Sequence, residues 1–283
     1  MRGFAGWTAA ALTAVALSCT GVLASEAGPA RASLPHVATY VSLGDSLAYG
    51  YQPNLIQAGD SHPADYVSYA EIYAGAHLSV ANLGCPGETT VTMINGGCAG
   101  LGSNALFPNG IPLHMPFHGG PQLQAALSYL RDHRATTTLI SVDIGSNDLI
   151  AILKACGGSD LTCIAGKLPA VFDNYASIVS QLKAAAPQAR LVLFNIYNPY
   201  ALTIPGSDAL LTTFVNPAIA RLAASTGARV ADAFAAINDT AGSHAEATNV
   251  CSLTWMCAFA PPNIHPTDSG YEKLAMALKA AAR

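Results

Sequence analysis

Apolar residues fall along this chain in two alternating patterns. Five short runs, residues 38–43, 78–83, 137–144, 189–196 and 229–234, are almost continuously apolar or β-prone. Strands buried on both faces read this way, because neither side of the pleat meets water. Between them, apolar residues recur every three or four positions over residues 65–76, 121–133, 168–186, 209–226 and 267–282. That spacing gathers apolar side chains onto one stripe of a helix. Pro121 opens the second of these stretches, Pro187 stops the third and Gly227 ends the fourth, as helix boundaries favour.

Strands alternating with helices predict an α/β protein, a three-layer α/β/α sandwich around a central parallel five-stranded sheet. Ligands of such sheets bind beyond the carboxyl ends of the strands. The first three runs end at Gly44, Gly84 and Gly145, so three loops are expected to meet at one edge. Two stretches, residues 95–120 and 235–262, break the pattern and are expected to be irregular. Long loops in compact domains are commonly functional. The first carries Leu106, Phe107, Ile111, Leu113, Met115 and Phe117, which suits a lid, an acyl-chain surface or a loop packed down by its own side chains.

Composition narrows the class. Hydrophobic residues make up 51% of the 283 and charged residues 11%, which excludes a disordered chain. The net charge of −4 and the lack of any Lys/Arg run exclude a nucleic-acid footprint. Arg2 is followed by an uncharged apolar run over residues 7–17 and then by small residues up to Ala32. That pattern predicts a signal peptide over residues 1–32, cleaved after Ala24 or Ala32. Residues 33–283 are then one exported domain with no further membrane-length segment.

Export makes disulfides expected. Cys19 lies in the signal segment, and the other cysteines form three close pairs, predicting Cys85–Cys98, Cys156–Cys163 and Cys251–Cys257. No metal is expected: Cys-x-x-Cys spacing is missing, and His114 and His118 lie in a stretch without helical pattern.

Ser46 follows the first strand at the edge where ligands bind. A serine hydroxyl needs a base for its proton and donors for the developing oxyanion. A serine or aspartate here also suits a helix N-cap, and these residues alone leave both readings open. Gly44-Asp45-Ser46-Leu47-Ala48 lacks the second glycine of the G-x-S-x-G elbow, which disfavours an α/β-hydrolase. Three further segments follow in order: Asn82-Leu83-Gly84, Gly145-Ser146-Asn147-Asp148, and His265-Pro266-Thr267 with Gly270-Tyr271.

With Ser42-Leu43-Gly44-Asp45-Ser46-Leu47, this ordered set resembles the four blocks of the GDSL, or SGNH, hydrolases. It spans nearly the whole of residues 33–283. The sequential cysteine pairs and Thr254-Trp255-Met256-Cys257 resemble the secreted actinobacterial esterase branch. The resemblance implies the flavodoxin-like SGNH fold and a secreted serine esterase or lipase working without cofactor. Ser46 would form an acyl-enzyme with His265 as general base. The backbone N–H groups of Ser46 and Gly84 and the Asn147 amide would hold the oxyanion. A monomer acting on a small-molecule or lipid ester is expected.

One position departs from the family. The acid three residues before the histidine is replaced by Pro262, and Asn263 carries no charge either. The expectation is therefore a Ser46–His265 dyad with the Pro262 carbonyl accepting from the imidazole. Asp232 and Asp268 are the carboxylates able to complete a triad through the fold. A polysaccharide deacetylase or a phospholipase would share this machinery. The missing acid also keeps a non-catalytic extracellular binding module in view.

Overall fold

The computed structural model describes residues 37–117, 120–158, 160–204, 206–239 and 243–283. The expected signal peptide, Cys19 and His118 lie outside them. Strands β1 (Thr39–Gly44), β2 (Ser79–Asn82), β3 (Thr137–Asp143), β4 (Arg190–Phe194) and β5 (Arg229–Ala231) form one sheet. Their order is β2-β1-β3-β4-β5 and every neighbouring pair is parallel. The strand order turns back between β1 and β3, and a crevice opens at such a switch point.

Alternation along each strand divides the core. Ala81, Val41, Ile140 and Leu191 lie opposite one another across four strands, forming one apolar row. Tyr40, Leu139, Val192 and Phe194 point to the other face.

Helices α1 (Ser46–Tyr49), α2 (Pro53–Ala58) and α3 (Tyr69–Ala74) follow β1. Helices α4 (Thr90–Asn95) and α5 (Gln122–Asp132) follow β2. Helices α6 (Ser146–Ala155) and α7 (Leu161–Ala185) follow β3. Helices α8 (Ser207–Leu210) and α9 (Asn216–Thr226) follow β4. Helices α10 (Ala233–Ile237), α11 (Ser243–Leu253) and α12 (Asp268–Ala281) close the chain. Leu130 of α5, Val179 and Leu182 of α7 and Ile219 of α9 pack on the first face. Tyr69 of α3 and Leu274 and Leu278 of α12 pack on the second. This is the expected three-layer sandwich.

The differences from the expected elements have local causes. The helix expected over residues 65–76 starts only at Tyr69, because Ser68 caps it: its Oγ accepts from the Ala70 N–H while Glu71 accepts from the Ser68 N–H. Helix α7 starts seven residues before the expected position 168, with Asp160 as its cap and Pro169 inside it. The stretch 209–226 is helical but widens to a π-turn over Leu211–Val215, just before Pro217. Proline has no N–H to donate and its ring crowds the carbonyl four residues back, so the ladder must open there. Strand β5 stops at Ala231, because Asp232 Oδ1 accepts from the Ala235 N–H at 2.9 Å and begins α10. Residues 235–262, expected to be irregular, contain the end of α10 and all of α11.

The three disulfides join Cys85–Cys98, Cys156–Cys163 and Cys251–Cys257, as the sequence spacing predicts.

Candidate active site

Strand β1 ends in a turn that requires glycine. Gly44 has φ +147°, and a Cβ there would lie 2.1 Å from the Asp143 carbonyl oxygen. The Asp45 N–H donates to that carbonyl at 3.1 Å, and Asp45 Oδ1 accepts from the Leu47 N–H at 2.9 Å. Ser46 is thereby set at the first position of α1, on the carboxyl edge of the sheet. Its Oγ lies 2.8 Å from His265 Nε2.

His265 stands in the segment before α12, held from several sides. The Trp255 N–H donates to the His265 carbonyl at 2.9 Å, and the Tyr197 hydroxyl donates to the Ile264 carbonyl at 2.6 Å. The Tyr51 ring stacks on the imidazole with centroids 4.1 Å apart. Trp255 is itself fixed: its Nε1–H donates to Gln52 Oε1, and Gln52 Nε2 donates to Asp268 Oδ1, both at 2.8 Å.

The other ring nitrogen, Nδ1, meets Asn263 Oδ1 at 2.7 Å, and the His265 backbone N–H donates to the same oxygen at 3.1 Å. Two donors converging on one atom mark it as the amide oxygen. Nδ1 therefore carries the ring proton, and Nε2 is free to accept from the Ser46 hydroxyl. That is the tautomer a general base needs.

This geometry corrects the expected role of Pro262. The orienting acceptor is the Asn263 side chain, which folds back along its own chain and reaches the ring ahead of any backbone carbonyl. Asp232 accepts from Asn195 Nδ2 and the Ala235 N–H, and Asp268 accepts from Gln52, so neither carboxylate meets His265. With no carboxylate on the ring, loss of water dominates and pushes the His265 pKa down to about 3. The ring stays neutral through the mildly acid range.

The backbone N–H groups left free beside Ser46 are not the expected pair. The Gly84 N–H is already given to Asn82 Oδ1 at 2.8 Å. A Cβ on Gly84 would lie 2.3 Å from the Tyr49 nitrogen, so this glycine lets α1 pack against β2 and has no donor to spare. Among the described residues the Ser46 N–H has no partner, and neither has that of Gly87, a residue with φ +80°. Gly87 lies in the turn closed by the Glu88 N–H on the Cys85 carbonyl at 3.1 Å, and the Cys85 N–H ties that turn to the Gly44 carbonyl at 3.0 Å. Asn147 Nδ2 donates to the Glu88 carbonyl at 3.0 Å and to Asp45 Oδ2 at 3.2 Å. Ser46, Asn147 and the Gly87 turn are thus brought together. Pro86-Gly87 is a turn dipeptide, the signal in the sequence that could have marked this turn.

A layer of buried acids supports these loops. Gln122 clasps Gly44 in both directions, its Oε1 accepting from the Gly44 N–H and its Nε2 donating to the Gly44 carbonyl, each at 2.9 Å. The same Nε2 donates to Glu88 Oε2 at 3.1 Å. Asp148 accepts from the Thr90 N–H and hydroxyl at 2.9 and 2.7 Å. Burial pushes Asp45 and Glu88 each up to about 7, and raises Asp148 and Asp143 as well.

Raised carboxyl pKa values mean that the folded state holds protons the unfolded chain releases above pH about 4. Stability should therefore fall as pH rises from about 4 through about 7. His265 works the other way, but only as pH falls below about 6.5. Thermal unfolding should give a higher midpoint at pH 5 than at pH 8. A midpoint that is flat or rises over that interval would contradict buried protonated acids.

From Ser46 and His265 a cleft of about 420 Å³ opens between α6, α7 and the segment around α8. Its walls include Leu149, Ile150, Leu153, Leu161, Ile196 and Leu210. None of residues 106–117 lines it: Phe107 and Leu113 are buried, and Met115 and Phe117 pack on the core. That loop is held down by its own side chains. Its His114 Nε2 lies 3.0 and 3.1 Å from the Tyr49 and Tyr66 carbonyls.

The profile of the GDSL-like lipase/acylhydrolase family matches residues 42–273. No curated protein sequence matches the chain. Among solved structures, the lipase Lip_vut3 from a goat rumen metagenome superposes with a TM-score of 0.54 at 18% identity, covering 86% of this chain and 97% of that one. An extracellular lipase from Streptomyces rimosus gives 0.50 at 17%, covering 86% and 99%. Phospholipase A1 from Streptomyces albidoflavus NA297 gives 0.52 at 18%, covering 87% and 99%. At these identities the likeness is one of fold.

Proposed function

Because the chain belongs to the GDSL-like lipase/acylhydrolase family, we propose that it is a secreted serine esterase acting on carboxylic esters with an apolar acyl chain. The observation that carries this reading is the 2.8 Å contact between Ser46 Oγ and His265 Nε2, at the head of a cleft with apolar walls.

Ser46 Oγ attacks the ester carbonyl carbon as its proton passes to His265 Nε2. The negative charge that gathers on the carbonyl oxygen is met by the N–H groups of Ser46 and Gly87 and by Asn147 Nδ2. The Asp45 contact of Asn147, the longer of its two, yields to the substrate oxygen. Collapse breaks the carbon–alkoxy bond, and the leaving oxygen takes the proton from His265 to depart as the alcohol. Water then attacks the acyl-enzyme, giving its proton to Nε2. That proton returns to Ser46 Oγ as the carboxylic acid leaves.

Asn263 positions His265 in both half-reactions. It stabilises the imidazolium less than a carboxylate would, since it holds no charge. The apolar walls favour an acyl chain over the polar ring of a sugar acetate. Export is supported by the signal pattern over residues 1–32 and by three disulfides, which persist in oxidising compartments.

The test is labelling with a fluorophosphonate, which phosphonylates an activated serine. The wild-type protein should take up one equivalent with loss of nitrophenyl-ester hydrolysis, and Ser46→Ala should take up none. Equal labelling of both proteins would refute the assignment.

A further inference from the structure

We propose that the Cys156–Cys163 disulfide is a specificity element of the acyl cleft, holding the wall that reads acyl-chain length. The proposal rests on the serine-esterase reading above and assigns a substrate preference within it.

Cys156 ends α6 and Cys163 lies in the first turn of α7. Between them are Gly157 and Gly158, with φ +64° and +81°. No atom lies within 4 Å of where a Cβ would sit on either glycine, so side-chain packing does not set the backbone there; the Gly158 N–H caps α6 instead, donating to the Leu153 carbonyl at 2.8 Å. The next backbone tie, from the Asp160 N–H to the Cys156 carbonyl, is long at 3.4 Å, so beyond the α6 cap the connection is held only weakly.

The wall of the cleft is built on both sides of this weak point. Leu153 stands one helical turn before Cys156, Gly158 lies between the cysteines, and Leu161 and Ile164 flank Cys163; all four line the cleft. Cys156 and Ile164 are buried in one small cluster with Ile152, and Leu210 packs on that cluster from the opposite wall. Leu153, Leu168 and Leu210 join this cluster to the main core under the sheet, while Ile152, Cys156 and Ile164 belong to it alone. The covalent tie adds a fixed link between the end of α6 and the start of α7 where this small cluster and one long hydrogen bond otherwise hold them. Neither cysteine is among the residues that form the Ser46–His265 pair or meet it through a hydrogen bond.

A rigid apolar wall rewards each additional methylene of a bound acyl chain, by about fourfold in kcat/KM for full burial. A wall free to swing away gives back part of that gain at every methylene. Its loss changes the slope of the chain-length profile and leaves the chemistry at Ser46 alone.

The experiment measures kcat/KM for nitrophenyl esters from acetate to decanoate, with rates divided by the concentration of fluorophosphonate-reactive sites. That division removes any unfolded fraction. Two variants are compared with the wild type: Cys156→Ser/Cys163→Ser, and Cys156→Val/Cys163→Ala, which keeps apolar packing without the tie. The wild type should gain several-fold per methylene until the cleft is full. Both variants should keep acetate hydrolysis within about threefold while the gain per methylene drops below twofold.

An unchanged slope in either variant, or an equal fall for all chain lengths, would overturn the proposal, since a purely stabilising disulfide predicts those results. Normal labelling and acetate turnover in the wild type with no dependence on chain length would overturn it and leave the serine assignment standing. Absent labelling in the wild type would remove both.

Discussion

Ser46→Ala and His265→Ala should each lower kcat by about 10⁵–10⁶-fold, and the double variant should be no slower than either single one. The reason is that the two groups act as one unit: without the base the hydroxyl keeps its proton, and without the hydroxyl the base has nothing to activate. The 2.8 Å contact leaves no room for a relay water between them. Residual activity would come from binding and from the oxyanion donors. Multiplicative losses in the double variant would mean that the two residues serve different steps, and the dyad would have to be abandoned. Asn263→Ala separates positioning from chemistry. It should cost far less than His265→Ala, and Asn263→Asp should raise the pH of the acid limb by about 1–3 units, because a carboxylate favours the imidazolium. If the Pro262 carbonyl oriented the ring instead, Asn263→Ala would leave kcat unchanged.

Asn147→Ala should lower kcat by about 10²–10³-fold with KM changed less than about threefold, since a donor to developing charge matters little to the neutral ester. Asn147→Asp should be worse, because it removes both amide hydrogens and sets a charge beside the oxyanion and the buried Asp45. Circular dichroism and melting should show both variants folded, the amide's contacts with Glu88 and Asp45 being two among many that hold these loops. Equal kcat for wild type and Asn147→Ala would assign this amide to loop structure alone.

Much of this is legible in the sequence. The five strands were readable because residues buried on both faces must be apolar at nearly every position. The sequence by itself also determined the strand-end placement of Ser46 and Asn147, the position of His265 just before the last helix, and the three disulfides, whose cysteines are neighbours in the chain. These are local facts, written in consecutive residues.

Only the tertiary structure decided which groups are free to act. Gly84 and Gly87 both look like turn glycines, but Asn82 takes the N–H of one, while among the described residues the N–H of the other has no partner. Pro262 and Asn263 are adjacent, yet it is the side-chain oxygen of the second that turns back to the imidazole. The cleft is walled by α6, α7 and the segment around α8, and the apolar loop at 106–117, for which the sequence left a lid, an acyl surface and self-packing open, packs down on itself. Hydrogen bonds are exclusive: a donor claimed by one acceptor is lost to another, and the claim is made by residues far away in sequence. Apolar burial is equally blind to sequence distance. Pattern therefore locates the elements, while the competition for donors and for buried space, settled only when the chain is packed, selects the site.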